Sequence, residues 1–256
     1  HFEFIFTDIE DFPLDKTDEI ITNFKRIQPK IAINCAAYTA VDKAEQDQQV
    51  ADAINHIAIA TLATLCKESE VKLIHISTDY VFDGTSPIAY KEDDQPNPKS
   101  VYGITKLAGE TACLKNCPES IIIRTAWVYS EFGNNFVKTM LRLMSERESL
   151  GVVNDQVGSP TYAADLAQVI LTILDSKKWQ AGIYHYSNAG EISWYDFAQD
   201  IKEIAHKTCE IKGIPASSYP TPAERPAYSL LDKSKIATTF GVVVPGYRES
   251  LERCMK

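Results

Sequence analysis

Hydrophobic and polar positions along this chain switch repeatedly between a strand period and a helix period. Short apolar or alternating runs predict strands at residues 2–6, 30–34, 71–76, 120–125 and 182–187. Apolar positions at helical spacing predict helices at residues 19–26, 51–68, 102–114, 136–145 and 163–174, and a further helix after Ser193, which is a suitable N-cap. Strands that alternate with helices indicate an α/β fold with a parallel, doubly wound sheet.

The middle of the chain carries the candidate chemistry. Thr78 and Ser77 lie at the end of the third predicted strand, and Tyr102 and Lys106 open the helix that follows a polar loop at residues 86–98. The four-residue spacing puts the phenol and the ammonium on one helical face. A lysine cation beside a phenol favours the phenolate, so we expect a lowered pKa for Tyr102. By itself this pair is more often an ordinary surface pair, and the loop either covers a substrate or only links two elements.

Composition and charge narrow the function classes. The chain has 256 residues and a net charge of −9 with no cluster of lysine and arginine, which argues against nucleic acid as the main partner. We find no apolar run of membrane-spanning length and no signal-peptide pattern, and therefore predict a cytoplasmic protein without a membrane partner. The six scattered cysteines are typical of reduced thiols. Cys113 and Cys117 have no second pair nearby, so no metal site is predicted.

Several strings of residues resemble one enzyme family. The string STDYVFDG, followed by SVYGITKLAGE, resembles the extended short-chain dehydrogenase/reductase superfamily, and within it the dTDP-4-dehydrorhamnose reductase family. The segments NCAAYTAVDKAE and RPAYSLL are similar to the same family. The resemblance implies a Rossmann-like doubly wound parallel sheet with a smaller C-terminal substrate-binding lobe. We expect residues 1–130, with later returning segments, to form the NAD(P)-binding domain and residues 131–256 to form most of the lobe.

The resemblance also implies an activity and a catalytic set. The expected reaction is reduction of the C4 keto group of dTDP-4-dehydro-L-rhamnose to dTDP-L-rhamnose, with NADPH or NADH as the cofactor. Tyr102 would donate the proton to the forming alkoxide. Lys106 would lower the pKa of Tyr102 and bond the nicotinamide ribose, and Thr78 would orient the carbonyl oxygen.

Binding residues are implied in the same way. Ala37, Tyr38 and Thr39 would line the nicotinamide side of the cofactor site. Asp8, at the end of the first predicted strand, is a candidate for the adenosine ribose and would favour NADH, although a turn-capping role is equally compatible. Asp15 is a second candidate, with a helix-capping role as the alternative. Asp79, Tyr80 and Trp127 would contact the sugar, and Asn135 is a further candidate for substrate binding. Arg225 would suit the nucleotide diphosphate, because its fork can bind phosphate bidentately. Magnesium and a homodimer rest on the resemblance alone.

Other interpretations stay open at this point. The same catalytic set serves other nucleotide-sugar ketoreductases and epimerases, and relatives of the family include a non-catalytic regulatory subunit of methionine adenosyltransferase. No G-x-G-x-x-G motif occurs in the 256 residues, although a Rossmann fold cradles the pyrophosphate with such a turn. Together with His1 in place of methionine, this leads us to expect that the native N-terminus is absent from the sequence. A chain that truly began there would bind the cofactor poorly and could be an inactive fragment.

Overall fold

The computed structural model describes residues 2–176 and 178–256, so His1 lies outside the described residues. The strands in these ranges are β1 Ile31–Asn34, β2 Lys72–Thr78, β3 Ile121–Thr125, β4 Val128–Tyr129, β5 Ser149–Val153, β6 Val157–Gly158, β7 Thr161–Tyr162, β8 Gly182–His185, β9 Ile192–Ser193 and β10 Glu210–Ile214. The α-helices are α1 Thr17–Ile27, α2 Val41–Ala44, α3 Gln48–Asp52, α4 Ala58–Glu68, α5 Val101–Asn116, α6 Phe136–Glu146, α7 Ala163–Asp175, α8 Trp194–Ile204, α9 Ser234–Phe240 and α10 Tyr247–Cys254. A π-helical turn, Ala53–Ile57, joins α3 to α4, and 3-10 turns lie at Asp79–Val81 and Ala216–Ser218.

A four-stranded parallel sheet with the order β1-β2-β3-β8 forms the centre of the molecule. Successive side chains of a strand point to opposite faces, so each strand feeds two cores. In β2, Leu73 belongs to the core shared with α1, α4 and α5, whereas Ile74 belongs to the core shared with α7 and α9. The buried side chains of β3 divide in the same way. Helices therefore cover both faces, which confirms the predicted doubly wound α/β sheet.

The predicted first strand is wrong. Residues 2–7 form no strand, and among the described residues none pairs with them. Phe6 is 86% exposed, and Phe2, Phe4 and Phe6 contact one another instead of a core. An alternating apolar pattern becomes a strand only where a neighbouring strand supplies hydrogen bonds, and the described sheet ends at β1. Asp8 therefore does not lie at the end of a sheet strand, contrary to the prediction.

A second core gathers the later part of the chain. Side chains of α6, α8, β5, β10 and α10 pack together there, with Phe197, Ala198, Ile201 and Leu251 fully buried. The parallel pair β5–β10 was not predicted from the sequence. Ser193 does cap α8 as expected, and Asp196 completes a capping box with it. The domain boundary near residue 130 stays a prediction.

The long predicted helix at residues 51–68 is present, but it contains the π-helical turn. Gly109 of α5 faces this turn, and a Cβ atom at Gly109 would lie 2.1 Å from the backbone oxygen of Asn55. By length and composition alone the continuous stretch Gln48–Glu68 could cross a membrane, contrary to our reading of the sequence. Its buried face packs on α1 and α5, as in the core helix of a globular protein. A single stretch of this kind is weak evidence for a membrane span.

Candidate functional site

The end of β2 and the start of α5 meet through two caps and one glycine. The Thr78 hydroxyl accepts a hydrogen bond from the backbone N–H of Tyr80 at 3.2 Å, which starts the 3-10 turn. Ser100 caps α5 by accepting from the N–H of Gly103 at 3.2 Å. A Cβ atom at Gly103 would lie 2.3 Å from the Tyr80 carbonyl oxygen, so only glycine allows this approach. The contact brings Tyr102 next to the strand end.

The phenol of Tyr102 is buried within the site. Its side chain is 9% exposed, and the Tyr80 ring packs edge-on against it with a centroid distance of 5.4 Å. Burial raises the pKa of Tyr102 to about 12, while its interaction with the Thr78 hydroxyl acts in the opposite direction. The phenol therefore holds its proton at neutral pH.

Lys106 lies one turn further along α5 and is 2% exposed. Its Nζ donates to the backbone oxygen of Ile76 at 2.7 Å, and burial lowers the pKa of Lys106 to about 8 while the Glu110 carboxylate raises it. The expectation that the pKa of Tyr102 is lowered is wrong for this structure. Lys106 binds a strand carbonyl instead of the phenol, and burial of the phenol dominates.

A buried ion pair lies behind Lys106. The Arg124 guanidinium, on β3, binds the Glu110 carboxylate with Nη2–Oε2 at 2.7 Å and Nε–Oε1 at 3.0 Å, and both side chains are 2% exposed. This pair ties α5 to the sheet below the site. Sequence reasoning missed it, because neither spacing nor local pattern links positions on a helix and a later strand.

Asp79 is a second titratable group of the site. It is 2% exposed, its Oδ1 accepts from the Thr78 hydroxyl at 3.1 Å, and its Oδ2 has no hydrogen-bond partner within the described residues. Burial raises the pKa of Asp79 to about 6, although contacts from Ser229 and Thr78 act against the shift. The unpartnered oxygen is an acceptor that a substrate hydroxyl would satisfy.

The structure adds Asn55, which sequence reasoning also missed. Its Oδ1 accepts from the N–H of Tyr38 at 2.8 Å, while its Nδ2 donates to the Tyr38 carbonyl at 3.2 Å and to the Thr105 hydroxyl at 3.1 Å. Asn55 is 1% exposed and sits in the π-helical turn. It fixes the loop after β1 against α5. A polar residue on the apolar face of a predicted helix was the available signal.

The loop after β1 leaves room for a ligand at the edge of the sheet. Small residues follow the strand at the carboxyl edge of the sheet, and Cys35 and Ala36 are exposed there, so a ligand can approach their backbone. Ala37 and Thr39 flank Tyr38, whose hydroxyl donates to Asp47 at 2.9 Å.

The two acidic candidates lie apart from this group. Asp8 is exposed and accepts from the N–H of Glu10 at 2.9 Å, which is a local turn contact. Asp15 is exposed as well, and it does not cap α1, since Lys16 holds the N-cap position without a side-chain cap. Their cofactor roles stay predictions. Across residues 2–176 and 178–256, no group of three or more His, Cys, Asp or Glu side chains is arranged to hold a metal ion.

The predicted substrate residues occupy three different settings. Trp127 follows β3 and stacks on Trp194 with a centroid distance of 3.5 Å. Asn135 caps α6, accepting from the N–H of Lys138 at 3.1 Å. Arg225 binds Asp42 through both oxygens, at 3.0 Å and 2.8 Å. Asn135 thus has a structural role, and Arg225 would have to exchange Asp42 for a phosphate.

The polar loop at residues 86–98 is held down rather than free. Asp83 accepts from the Asn97 amide at 2.9 Å and from the Tyr90 hydroxyl at 3.2 Å. Tyr90 forms a bridge with Leu231, and a Glu92 oxygen accepts from the N–H of His185 at 3.0 Å. These contacts favour the linking role over closure on a substrate.

Comparison with known proteins identifies the family. The model of the RmlD substrate binding domain matches residues 1–256. A dTDP-4-dehydrorhamnose reductase from Sinorhizobium fredii is 42% identical over 251 residues, which cover 94% of this chain and 85% of the relative. The chain belongs to the dTDP-4-dehydrorhamnose reductase family.

Solved structures of the family agree with the fold described above. The dTDP-4-dehydrorhamnose reductase from Clostridium acetobutylicum has a TM-score of 0.93 and 39% identity, covering 97% of this chain and 88% of its own. The Bacillus anthracis reductase, solved in complex with NADP, has a TM-score of 0.93 and 38% identity with the same coverage. The resemblance of the strings around Thr78 and Tyr102 to this family is thereby confirmed.

Proposed function

We propose that this protein reduces the C4 keto group of dTDP-4-dehydro-L-rhamnose to dTDP-L-rhamnose with NADPH or NADH. The observation that carries the proposal is the arrangement of Thr78, Tyr102 and Lys106 at the carboxyl edge of the sheet, in a chain of this family. Thr78 ends β2, the close approach of Gly103 to Tyr80 brings Tyr102 next to this strand end, and Lys106 lies one helical turn further along α5. This is the donor set that a carbonyl reduction requires.

Each side chain has a definite task. A reduced nicotinamide, when bound, supplies the hydride for the carbonyl carbon. Tyr102 holds a proton at neutral pH, because burial raises its pKa to about 12, and it gives this proton to the developing alkoxide. Thr78 orients the carbonyl oxygen. Lys106 would hold the nicotinamide ribose in place of the Ile76 carbonyl, and its positive charge favours the phenolate left on Tyr102.

The remaining roles rest on the family resemblance. Ala37, Tyr38 and Thr39 would line the nicotinamide side of the cofactor site, and the NADP complex of the Bacillus anthracis relative supports this class of cofactor. Asp79 and Tyr80 contact the sugar beside Tyr102, with the free Asp79 oxygen as an acceptor. We place the reaction in the cytoplasm, since all six cysteines are free thiols in the part of the chain that the structure describes.

Oxidation of NADPH in the presence of dTDP-4-dehydro-L-rhamnose tests the proposal. We expect the full-length protein to consume both compounds in equal amounts and to release dTDP-L-rhamnose, identified by mass and chromatography. UDP-glucose, which carries no keto group, is the control and should give no NADPH oxidation. Absence of turnover with the keto sugar, in protein that is folded by circular dichroism, would contradict the proposal.

A further inference from the structure

The backbone of Trp127 adopts an unusual conformation directly beside the site. Its φ is +50°, in the left-handed region that favours glycine, and such a bulky residue is rarely found there. Trp127 comes two residues after Thr125, whose Cα pairs with that of Thr78 in the sheet. Strained positions of this kind persist only where the surrounding contacts hold them. The contacts of the Trp127 indole therefore show what stabilises this backbone conformation.

Two contacts enclose the Trp127 indole. Trp194 stacks on it with the rings 3.5 Å apart and an interplanar angle of 11°. On another side the backbone of Gly158 approaches so closely that a Cβ atom there would lie 3.0 Å from the indole carbons Cε2 and Cζ2. The same Cβ would lie 2.9 Å from the Ser229 hydroxyl. The indole is thus held at the edge of the predicted sugar pocket.

Trp194 is itself held rigidly. It is the first residue of α8, directly after Ser193 and its capping box with Asp196. The β6–β9 pair joins Gly158 to Ile192, so both walls of the indole site belong to one antiparallel ribbon. Phe136 of α6 packs on the Trp194 ring at 4.6 Å. Three elements of the lobe therefore support this one ring.

We infer that Trp194 is a positioning residue for the sugar, acting through Trp127. This rests on the proposed function, because it assigns the supported indole to the wall of the substrate pocket. Stacking on Trp194 fixes the position of the Trp127 ring, whose backbone is in the left-handed region. The sugar then contacts a rigid aromatic surface. Stacking of this kind improves substrate binding and leaves the proton donor untouched.

The test is a double-mutant cycle on the full-length protein, with NADPH and dTDP-4-dehydro-L-rhamnose. W194L should raise the KM for the sugar by about tenfold, with kcat within about twofold, since a stacked aromatic pair is worth up to about that factor. In a W127L background, W194L should add no further increase. The control W179F changes a tryptophan that hydrogen bonds to the Glu119 carbonyl outside the site, and its KM should equal that of the unmodified protein.

The outcomes separate this inference from the proposed function. If the unmodified protein has no reductase activity, the proposed function and this inference are both contradicted. An active protein whose KM is unchanged in W194L, or rises equally in both backgrounds, would overturn the inference alone. If W194L does not fold, W194F tests the inference in its place, because phenylalanine keeps an aromatic ring at this position. KM should then rise about twofold, and only where Trp127 is present.

Discussion

At the scale of single residues, burial decides the chemistry of the site more than spacing does. The sequence placed Tyr102 and Lys106 on one helical face, and the structure confirms that both lie on the buried side of α5. Spacing alone predicted a lowered pKa for the phenol, and this was wrong. The direction depends on desolvation and on the Ile76 carbonyl that Lys106 binds, and neither is visible in the pattern of residues.

Asp79 gives a prediction about stability and pH. Its pKa is raised from an ordinary 3.8 to about 6, so its neutral form is favoured in the folded state and stability falls as pH rises between these values. The unfolding free energy of the unmodified protein, relative to that of D79N, should fall by about 2 kcal/mol between about pH 4.5 and pH 7. Urea unfolding of both proteins at the two pH values measures this difference.

Asp83 supplies a matched control. Hydrogen bonds, led by the Asn97 amide, lower its pKa to about 2, so it is ionised throughout this range in the folded state. The stability difference between the unmodified protein and D83N should change by less than about 1 kcal/mol between the two pH values, since only the last part of the unfolded-state titration falls there. A D79N difference that is equally flat would show that Asp79 is not buried as an acid.

At the scale of elements, local patterns predicted those helices and strands whose partners lie close in sequence. Strands β1, β2, β3 and β8 were expected, and so were helices α4, α5, α6 and α7, whereas α2 and most of α3 were not. The prediction of a strand at residues 2–6 was wrong, because an alternating pattern does not show whether a neighbouring strand exists. Strands β5 and β10 were missed, because each contains a glycine and their pairing joins segments about 60 residues apart. Asn55 and Arg124 were missed because no local pattern shows which polar partner a buried polar side chain will meet.

The packing of α5 on the π-helical turn leaves no room for a methyl group at Gly109, so stability should depend strongly on this glycine. G109A would place its Cβ 2.1 Å from the Asn55 carbonyl oxygen, which forces the helices apart. We expect a loss of about 1–3 kcal/mol of unfolding free energy, measured by thermal or urea unfolding. G246A is the control, since no described atom lies within 4 Å of its Cβ and its stability should change by less than about 0.5 kcal/mol. Equal stability of the two variants would refute this close packing.

At the scale of the whole molecule, the segment at residues 223–231 joins distant parts of the chain. Arg225 binds Asp42 of α2, Pro226 packs on Gly84, and the Ala227 carbonyl accepts from the N–H of Val157 at 2.8 Å. The segment thereby connects the sheet, the turn after β2 and the lobe. Gly84 allows the contact because it has a φ of +77° and no side chain.

The predicted phosphate role of Arg225 can be separated from its role in this segment. The Arg225–Asp42 pair is partly exposed, so R225M and D42N should each cost less than about 1 kcal/mol of stability. If Arg225 exchanges Asp42 for the diphosphate, R225M should raise the KM for the nucleotide sugar by at least about tenfold, whereas D42N should not. Equal KM increases in both variants would mean that Arg225 only fixes the loop.

The role of Tyr102 as the proton donor is the central claim, and one comparison tests it most directly. The turnover of dTDP-4-dehydro-L-rhamnose with NADPH is measured for the unmodified protein, for Y102F and for the control Y219F, whose ring is 63% exposed. Y102F should lose at least about 10²-fold in kcat, the lower end for loss of a positioned acid, while Y219F keeps its full rate. Near-normal turnover in Y102F would contradict this account of the site.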